Sequence, residues 1–196
     1  MGKIFYIMGK SASGKDKIYS TLMQNDKLGL HPLVIFTTRP IRAGEEDGRE
    51  YHFVDRDKLE EMRSQGRVIE ERTYETVAGP WTYFTADDKD TDSEKFNYLA
   101  IGTLESYVRI RKYYGHSTVV PLYIEVNDEN RLLRSIKRES KQDKPNYQEV
   151  CRRFLADCMD FSETCITEAD ITKRFDNNGD IEDCLQEVED YILSML

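Results

Sequence analysis

Residues 4–16 read Ile-Phe-Tyr-Ile-Met-Gly-Lys-Ser-Ala-Ser-Gly-Lys-Asp, an apolar run followed by a loop that contains two glycines. Gly9, Gly14 and Lys15 have the G-x-x-x-x-G-K spacing of a phosphate-binding P-loop. In such a loop the glycines permit a tight turn whose backbone N–H groups point at an anion, and the following helix adds the positive end of its dipole. The stretch therefore predicts a strand, a loop that binds nucleotide phosphates, and a helix that begins near Lys15.

The overall composition is that of a charge-rich globular protein. The chain has 196 residues, 33% of them charged, and a net charge of −9 at pH 7. A single domain of this length has room for a substantial core. The negative charge argues against a broad nucleic-acid surface, because such a surface needs a basic face. Any site for an anionic nucleotide must therefore draw on local basic clusters, here Arg39 with Arg42 and the stretch 131–153.

Targeting and membrane signals are not recognisable in the sequence. No apolar stretch approaches the ~20 residues that a membrane helix needs. The N-terminus runs into the first strand pattern without the layout of a signal peptide. We therefore expect a cytoplasmic protein that contacts no membrane. The four cysteines form no C-x-x-C pair, so we expect reduced thiols in or near the core rather than a metal site.

Strand-like and helix-like segments alternate along the chain, which is typical of a doubly wound parallel α/β fold. Residues 33–38 contain the apolar run Val-Ile-Phe and are predicted to form a strand buried on both faces of the sheet. Asp128 is placed to cap the helix that follows. Strands are predicted over residues 3–8, 33–38, 51–54, 68–74, 81–85, 97–101, 119–126 and 171–175. Helices are predicted over residues 15–24, 56–65, 104–113, 129–138, 147–159 and 181–193, and an acidic loop over 87–94.

A second motif covers residues 37–53, which read Thr-Thr-Arg-Pro-Ile-Arg-Ala-Gly-Glu-Glu-Asp-Gly-Arg-Glu-Tyr-His-Phe. Arg39 and Arg42 can clamp a phosphate by forked hydrogen bonds, and the Tyr51 hydroxyl can donate to the same phosphate. Taken alone, the stretch also fits a solvated charged loop. Taken with the P-loop, it closely resembles the guanylate kinase family, whose signature around the GMP phosphate is TTRP-x-R-x-GE-x-DG-x-x-Y-x-F.

The resemblance extends over essentially the whole chain and implies transfer of the γ-phosphoryl group from ATP to GMP, with Mg²⁺ as cofactor. It implies a P-loop NTPase-type parallel sheet with helices on both faces, a β-rich GMP-binding insertion and a helical lid. The implied boundaries within one domain, 1–196, are a core of 1–36, 96–126 and 160–196, an insertion of 37–88 and a lid of 127–158.

The same resemblance implies a set of site residues. Glu70 matches the glutamate that accepts hydrogen bonds from N1 and N2 of guanine. The implied GMP-binding residues are Arg39, Arg42, Tyr51, Glu70, Tyr83 and Thr85. The implied ATP-binding residues are Gly9, Lys10, Ser11, Ala12, Ser13, Gly14, Lys15, Asp16, Arg134 and Asn177. The implied catalytic residues are Lys15, Arg39, Arg138 and Arg153, whereas Arg131 and Arg152 fit surface ion pairs.

The chain departs from the family pattern at several positions. Asp16 stands where a Ser or Thr hydroxyl normally binds Mg²⁺, Ile35 where the family usually has Ser, and Phe84 where it has Gly. Residues 98–102, Tyr-Leu-Ala-Ile-Gly, lack the aspartates of the corresponding family strand. Since Mg²⁺ prefers carboxylate and phosphate oxygens, Asp16 is a candidate metal ligand that would compensate for the missing aspartates.

Two other functions remain open from the sequence. Gly-Lys-Asp at the P-loop resembles the ribose 1,5-bisphosphate kinases of the same fold, although a phosphosugar offers nothing for Glu70 to pair with. A guanylate-kinase-like module that binds proteins without catalysis typically has a degraded P-loop, whereas Gly9, Gly14 and Lys15 are intact here. The sequence carries no indication of the oligomeric state.

Overall fold

The computed structural model describes residues 2–76, 79–87 and 95–196. Its strands are β1 (Ile4–Met8), β2 (Leu30–Pro32), β3 (Phe36–Thr37), β4 (His52–Phe53), β5 (Val68–Thr76), β6 (Gly79–Ala86), β7 (Asn97–Gly102), β8 (Val119–Glu125) and β9 (Arg174–Asp176). Its helices are α1 (Lys15–Met23), α2 (Arg56–Ser64), α3 (Leu104–Tyr114), α4 (Asp128–Glu139), α5 (Tyr147–Asp160), α6 (Glu163–Glu168) and α7 (Ile181–Leu193), and a short 3₁₀ helix spans Asp26–Leu28. The predicted α/β class is confirmed.

β1 is the central strand of a five-stranded parallel sheet with the order β2-β7-β1-β8-β9. All five residues of β1 are buried. An unbroken apolar run suits such a strand, because helices cover both faces of the sheet. The carboxyl end of β1 opens between two neighbouring strands, at the edge where parallel α/β proteins bind their ligands.

Alternate residues of β1 pack on opposite faces of this sheet. Ile4, Tyr6 and Met8 belong to a buried cluster that includes residues of α3 and α6. Phe5 and Ile7 belong to a second cluster, which includes residues of α1 and α7. The predicted arrangement of a parallel sheet with helices on both faces is therefore confirmed.

A second sheet, with the order β4-β3-β6-β5, is formed by the segment between β2 and β7. β5 and β6 pair antiparallel, with Glu70 opposite Thr85 and Arg72 opposite Tyr83. Residues two apart in a strand share a face of the sheet. One face, which we call the cleft face, carries Glu70, Arg72 and Tyr74 of β5 together with Trp81, Tyr83 and Thr85 of β6.

Phe84 packs on the opposite face of this second sheet. Its side chain is fully buried, and its ring stacks on Phe36 with 5.1 Å between the ring centroids. Leu59 and Met62 of α2 complete the cluster. The departure from glycine at position 84 therefore adds core packing and leaves the cleft face unchanged.

The segment 33–38 does not form the predicted strand of the parallel sheet, so that prediction is wrong. β2 (Leu30–Pro32) pairs with β7 instead, and Phe36–Thr37 pairs with β4 and β6 in the second sheet. The apolar run is divided because Leu33 packs in the core, while Ile35 lines a cleft between the two sheets. A segment that passes from one sheet to another, with apolar side chains packed against both, has the same apolar pattern as a buried strand.

Two smaller predictions also need correction, and one short helix was not predicted. Asn127, not Asp128, caps α4, because its side chain accepts a hydrogen bond from the N–H of Asn130 at 2.8 Å. The last strand is Arg174–Asp176 rather than 171–175, since Ile171 packs in the core cluster under α6. Helix α6 was not predicted because its six residues are too few to show a helical period.

The structure also bears on the membrane and cysteine predictions. Within the described ranges, no helix combines the length and apolar character that a membrane span requires. All four cysteines are free, with Cys184 buried and Cys151 exposed. The acidic loop predicted at 87–94 lies outside the described residues except for Asp87.

Phe84→Ala should lower the free energy of unfolding by about 3–5 kcal/mol, because it leaves a cavity between the second sheet and α2. Chemical denaturation followed by circular dichroism measures the change. Phe96→Ala is the matched control, since 45% of Phe96 is exposed, and its cost should stay below about 1.5 kcal/mol. Equal losses in the two variants would contradict the packing role of Phe84.

Candidate nucleotide-binding site

The P-loop, residues 9–15, joins β1 to α1 with a backbone that only small residues allow. A Cβ on Gly9 would lie 2.5 Å from the carbonyl oxygen of Ile124 in β8, so the loop passes directly over the neighbouring strand. Gly14 has a φ of 89° and Ala12 a φ of 63°, both in the left-handed region. The N–H of Ser13 donates to the carbonyl of Lys10 at 3.1 Å and closes the turn.

Asn177 braces this loop from the end of β9. Its amide donates to the carbonyl of Ser13 at 2.7 Å, and a Cβ on Gly14 would lie 2.4 Å from its nitrogen. The Arg134 guanidinium donates to the backbone carbonyl of Asn177 at 2.9 Å. The structure thus brings two of the predicted ATP-binding residues, Arg134 and Asn177, together behind the loop.

The helices α4 and α5 are tied to the P-loop by charges that the sequence analysis missed. The Asp157 carboxylate accepts a hydrogen bond from the N–H of Ser11 at 2.8 Å. Arg131 pairs with Asp157 at 3.3 Å and with Asp128 at 2.7 Å, and it lies 3.8 Å from the centroid of the Phe154 ring. Since only 1% of the Arg131 side chain is exposed, its interpretation as a surface ion pair is wrong. Asp157 lies 146 residues from Ser11, so no local motif signals the contact.

Arg138 and Arg153 line a cavity of about 560 Å³ beside the P-loop residue Ser11. Glu149 accepts hydrogen bonds from Arg153 at 2.6 Å and from Arg152 at 2.7 Å. These two cations lower the pKa of Glu149 to about 2. Two of the predicted catalytic arginines, Arg138 of α4 and Arg153 of α5, therefore lie on the side of the site that contains the P-loop.

Arg39 is held at the other side of the site by a forked ion pair. Its two terminal nitrogens donate to the two oxygens of Glu45 at 2.8 and 2.6 Å. The N–H of Arg42 donates to the same carboxylate at 2.8 Å. Only 4% of Arg39 is exposed. The pair raises the pKa of Arg39 and lowers that of Glu45 to about 2, so both groups are charged at neutral pH.

Aromatic side chains surround this ion pair. The guanidinium carbon of Arg39 lies 5.1 Å from the centroid of the Tyr51 ring, and the rings of Tyr51 and Tyr83 are 5.6 Å apart. The Arg42 guanidinium lies 6.0 Å from the centroid of the Trp81 ring. Burial raises the pKa of Tyr51, so its hydroxyl stays protonated at neutral pH and can donate to an anion. Four of the predicted GMP-binding residues thus lie close together, namely Arg39, Arg42, Tyr51 and Tyr83.

A cleft of about 360 Å³ begins at Tyr51 and Tyr83 and runs between the two sheets. Its lining residues are Ile35, Tyr51, Arg72, Tyr74, Trp81, Tyr83 and Ile101. Ile35 and Ile101, two of the departures from the family pattern, give the cleft apolar walls. A Cβ on Gly102 would lie 2.0 Å from the hydroxyl oxygen of Tyr6, so an aspartate at the end of β7 would require the Tyr6 side chain to move.

Glu70 is buried at the base of the second sheet, with 3% of the residue exposed. One carboxylate oxygen accepts from the Thr85 hydroxyl at 2.9 Å, and the other accepts from the Ser106 hydroxyl at 3.1 Å. Nε of Arg72 lies 3.4 Å from the second oxygen. Both Glu70 and Thr85 are predicted GMP-binding residues, and the structure places Ser106 and Arg72 beside the same carboxylate.

Asp16 lies in the first turn of α1, with 83% of its side chain exposed and its carboxylate 3.7 Å from Nζ of Lys15. Among residues 2–76, 79–87 and 95–196, no three His, Cys, Asp or Glu side chains converge to hold a metal ion. Mg²⁺ is commonly bound by one or two carboxylates and by the phosphates of a substrate. The donor set at Asp16 fits a metal bound in this way.

A family model described as Guanylate kinase matches residues 1–195. The chain belongs to the guanylate kinase family. Guanylate kinase from Alkalilimnicola ehrlichii is 39% identical over 69 residues, 35% of this chain and 34% of that protein. Guanylate kinase from Rhodopseudomonas palustris is 42% identical over 69 residues, 35% of this chain and 31% of that protein. These alignments span about a third of the length of the curated relatives.

A solved structure of guanylate kinase from Anaplasma phagocytophilum has the same fold. Its TM-score is 0.63 at 17% identity, and the match covers 98% of this chain and 85% of that one. The fold is therefore that of the P-loop NTPases, as the sequence predicts. Within this guanylate kinase fold, the P-loop with α4 and α5 forms one half of the site, and the second sheet forms the other.

The pKa of Glu45 provides a test of the Arg39–Glu45 pair. Because that pKa is lowered from 4.5 to about 2, the pair stabilises the fold above about pH 4.5, and the contribution is lost as the pH falls through about 2. In Arg39→Met the pKa of Glu45 should rise towards 4.5. Carboxyl-detected NMR between pH 3 and 6 should show Glu45 titrating in the variant and ionised in the wild type.

Glu149 is an internal control in the same spectra. Its pKa depends on Arg152 and Arg153, so it should stay ionised in both proteins over this pH range. A Glu45 resonance that titrates alike in wild type and Arg39→Met would refute the pair.

Proposed function

We propose that this chain transfers the γ-phosphoryl group of ATP to GMP, producing ADP and GDP. The observation that carries the proposal is a cleft that begins at Tyr51, beside Arg39, and reaches Arg72, whose Nε lies 3.4 Å from the buried carboxylate of Glu70. Arg39, fixed by Glu45 beside Tyr51 and Tyr83, suits a phosphate. Membership of the guanylate kinase family supports the same assignment.

The carboxylate of Glu70 is suited to guanine. Guanine presents two adjacent donors, N1–H and the 2-amino group, whereas adenine presents an acceptor at N1. Each carboxylate oxygen has about two lone-pair sites, so Glu70 can accept from guanine in addition to Thr85 and Ser106. Those two hydroxyls hold the carboxylate in one orientation before the base arrives.

The P-loop and the arginines of α4 and α5 are suited to the triphosphate. Backbone N–H groups of residues 9–15 and the Lys15 ammonium bind the phosphates of ATP. The transition state spreads negative charge over three equatorial oxygens, so positioned cations are the main catalytic device. Lys15, Arg39, Arg138 and Arg153 supply these cations in an in-line transfer that forms no covalent enzyme intermediate.

We further propose that residues 37–88 act as the GMP-binding insertion and 127–158 as the lid. The Asp157–Ser11 hydrogen bond and the Arg131 ion pairs support this division, because they make the lid contact the P-loop. Closure of the lid would exclude water and limit hydrolysis of ATP.

Asp16 would hold the Mg²⁺ that accompanies ATP, directly or through water, and this ion would neutralise phosphate charge. A cytoplasmic location fits the four free thiols, because the cytosol keeps cysteines reduced.

A panel of acceptors tests the reaction. Coupled release of ADP should be observed with GMP and dGMP, and should be at least about 100-fold slower with AMP or UMP, because Glu70 is left without its donors. Lys15→Met should lower kcat for GMP by about 100-fold or more. Turnover of ribose 1,5-bisphosphate without turnover of GMP would contradict the proposal, as would binding of GMP without any turnover.

Asp16→Ser tests the metal ligand. We expect lower activity and an about tenfold increase in the Mg²⁺ concentration required for half-maximal rate, because a carboxylate has been lost. Asp26→Ser, an exposed aspartate of the 3₁₀ helix, is the matched control and should leave the Mg²⁺ dependence unchanged. An unchanged Mg²⁺ dependence in Asp16→Ser would exclude the carboxylate as a ligand.

A further inference from the structure

Arg72 is a cation of the cleft to which the family resemblance gives no role. It lies on β5 between Glu70 and Tyr74, on the cleft face, and it lines the cleft with Ile35 and Ile101. About 20% of its side chain is exposed. Placing a guanidinium in this position costs desolvation energy, which must be offset by a favourable interaction.

The protein uses only part of the hydrogen-bonding capacity of Arg72. Nη1 donates to the Thr103 hydroxyl at 3.2 Å, and Nε lies 3.4 Å from Glu70. Within the part of the chain that the structure describes, Nε is buried without a hydrogen-bond partner, and Nη1 makes the one side-chain hydrogen bond of Arg72. A guanidinium has five N–H donors in a fixed planar fork. Donors of the fork are therefore available to a molecule in the cleft.

The order of groups along a guanine base determines which atoms this fork would meet. Going around the ring, the 2-amino group and N1–H are followed by O6 and then N7. A carboxylate that accepts from the first two places an adjacent cation next to the last two. Arginine reads O6 and N7 of guanine with two hydrogen bonds, whereas adenine presents a 6-amino donor in place of O6.

We propose that Arg72 binds the base of the acceptor nucleotide by donating to O6 and N7, beside Glu70. The site would then recognise 6-oxopurine nucleoside monophosphates from two edges. The inference rests on the proposed function, because that function places the guanine base at Glu70. It also accounts for the apolar walls at Ile35 and Ile101, which confine polar recognition to Glu70 and Arg72.

The alternative is a purely structural role, in which Arg72 only neutralises the buried charge of Glu70. The two roles predict different effects on the binding of 7-deaza-GMP. This analogue keeps O6, N1–H and the 2-amino group but lacks N7. A structural role would make the loss of Arg72 weaken GMP and 7-deaza-GMP equally. A recognition role would make the loss of Arg72 weaken the binding of GMP more than the binding of 7-deaza-GMP.

Isothermal titration calorimetry with GMP and 7-deaza-GMP separates these cases. The ratio of the dissociation constant for 7-deaza-GMP to that for GMP should be about ten or more in wild type, as expected for one hydrogen bond from a charged donor. In Arg72→Met this ratio should fall to about one. Arg63→Met is the matched control, because Arg63 belongs to the same subdomain but pairs with Glu60 and Glu71 outside the cleft. Its ratio should equal that of wild type.

Arg72→Lys covers the case in which Arg72→Met does not fold. It retains a positive charge beside Glu70 without the planar fork, so its ratio should fall below that of wild type. A wild-type ratio near one, or an unchanged ratio in both Arg72 variants, would overturn the inference.

Binding and turnover are measured separately, so the two proposals can fail independently. A wild-type ratio of about ten that depends on Arg72, without phosphorylation of GMP, would support the role of Arg72 and refute the kinase activity. Phosphorylation of GMP with a wild-type ratio near one would support the kinase activity and refute the role of Arg72. No binding of GMP would refute both.

Discussion

The passage of the P-loop backbone over the carbonyl oxygen of Ile124 is the contact on which the rest of the site depends. It requires glycine at position 9, because a Cβ there would lie 2.5 Å from that oxygen. The close approach is possible because β1 and β8 are adjacent parallel strands whose carboxyl ends lie at the same edge. The loop is thus placed by the sheet, and its N–H groups face the side from which α4 and α5 approach.

Much of the part of the site around the P-loop is organised by contacts with this loop. Asn177 binds the carbonyl of Ser13, and Asp157 binds the N–H of Ser11. Arg131 links Asp157 and Asp128 across α4 and α5. Arg131 is the buried member of this network, and a buried charge left without a partner is strongly destabilising. These ion pairs therefore couple the position of both helices to that of the phosphate-binding loop.

The part of the site on the second sheet is organised by the two-residue alternation of β5 and β6. Side chains on one face line or border the cleft, and those on the other face build a small core with α2. The departures from the family pattern divide in the same way. Phe84 changes the core, whereas Ile35 and Ile101 change the walls of the cleft. Tyr6 occupies the space at Gly102, which gives a steric reason for the absence of an aspartate at that position.

Local patterns in the sequence were sufficient for the P-loop, the parallel α/β class and the motif around Arg39, because each depends on residues that are close in the chain. They were insufficient for residues 33–38, where an apolar run could not distinguish a buried strand from a chain that leaves one sheet for another. Glu45, Asp157 and Arg72 were visible as charges but not as partners of Arg39, Ser11 and Glu70. Tertiary structure alone decided these pairings, because a charged residue gains its role from the buried groups that the fold brings within hydrogen-bonding distance.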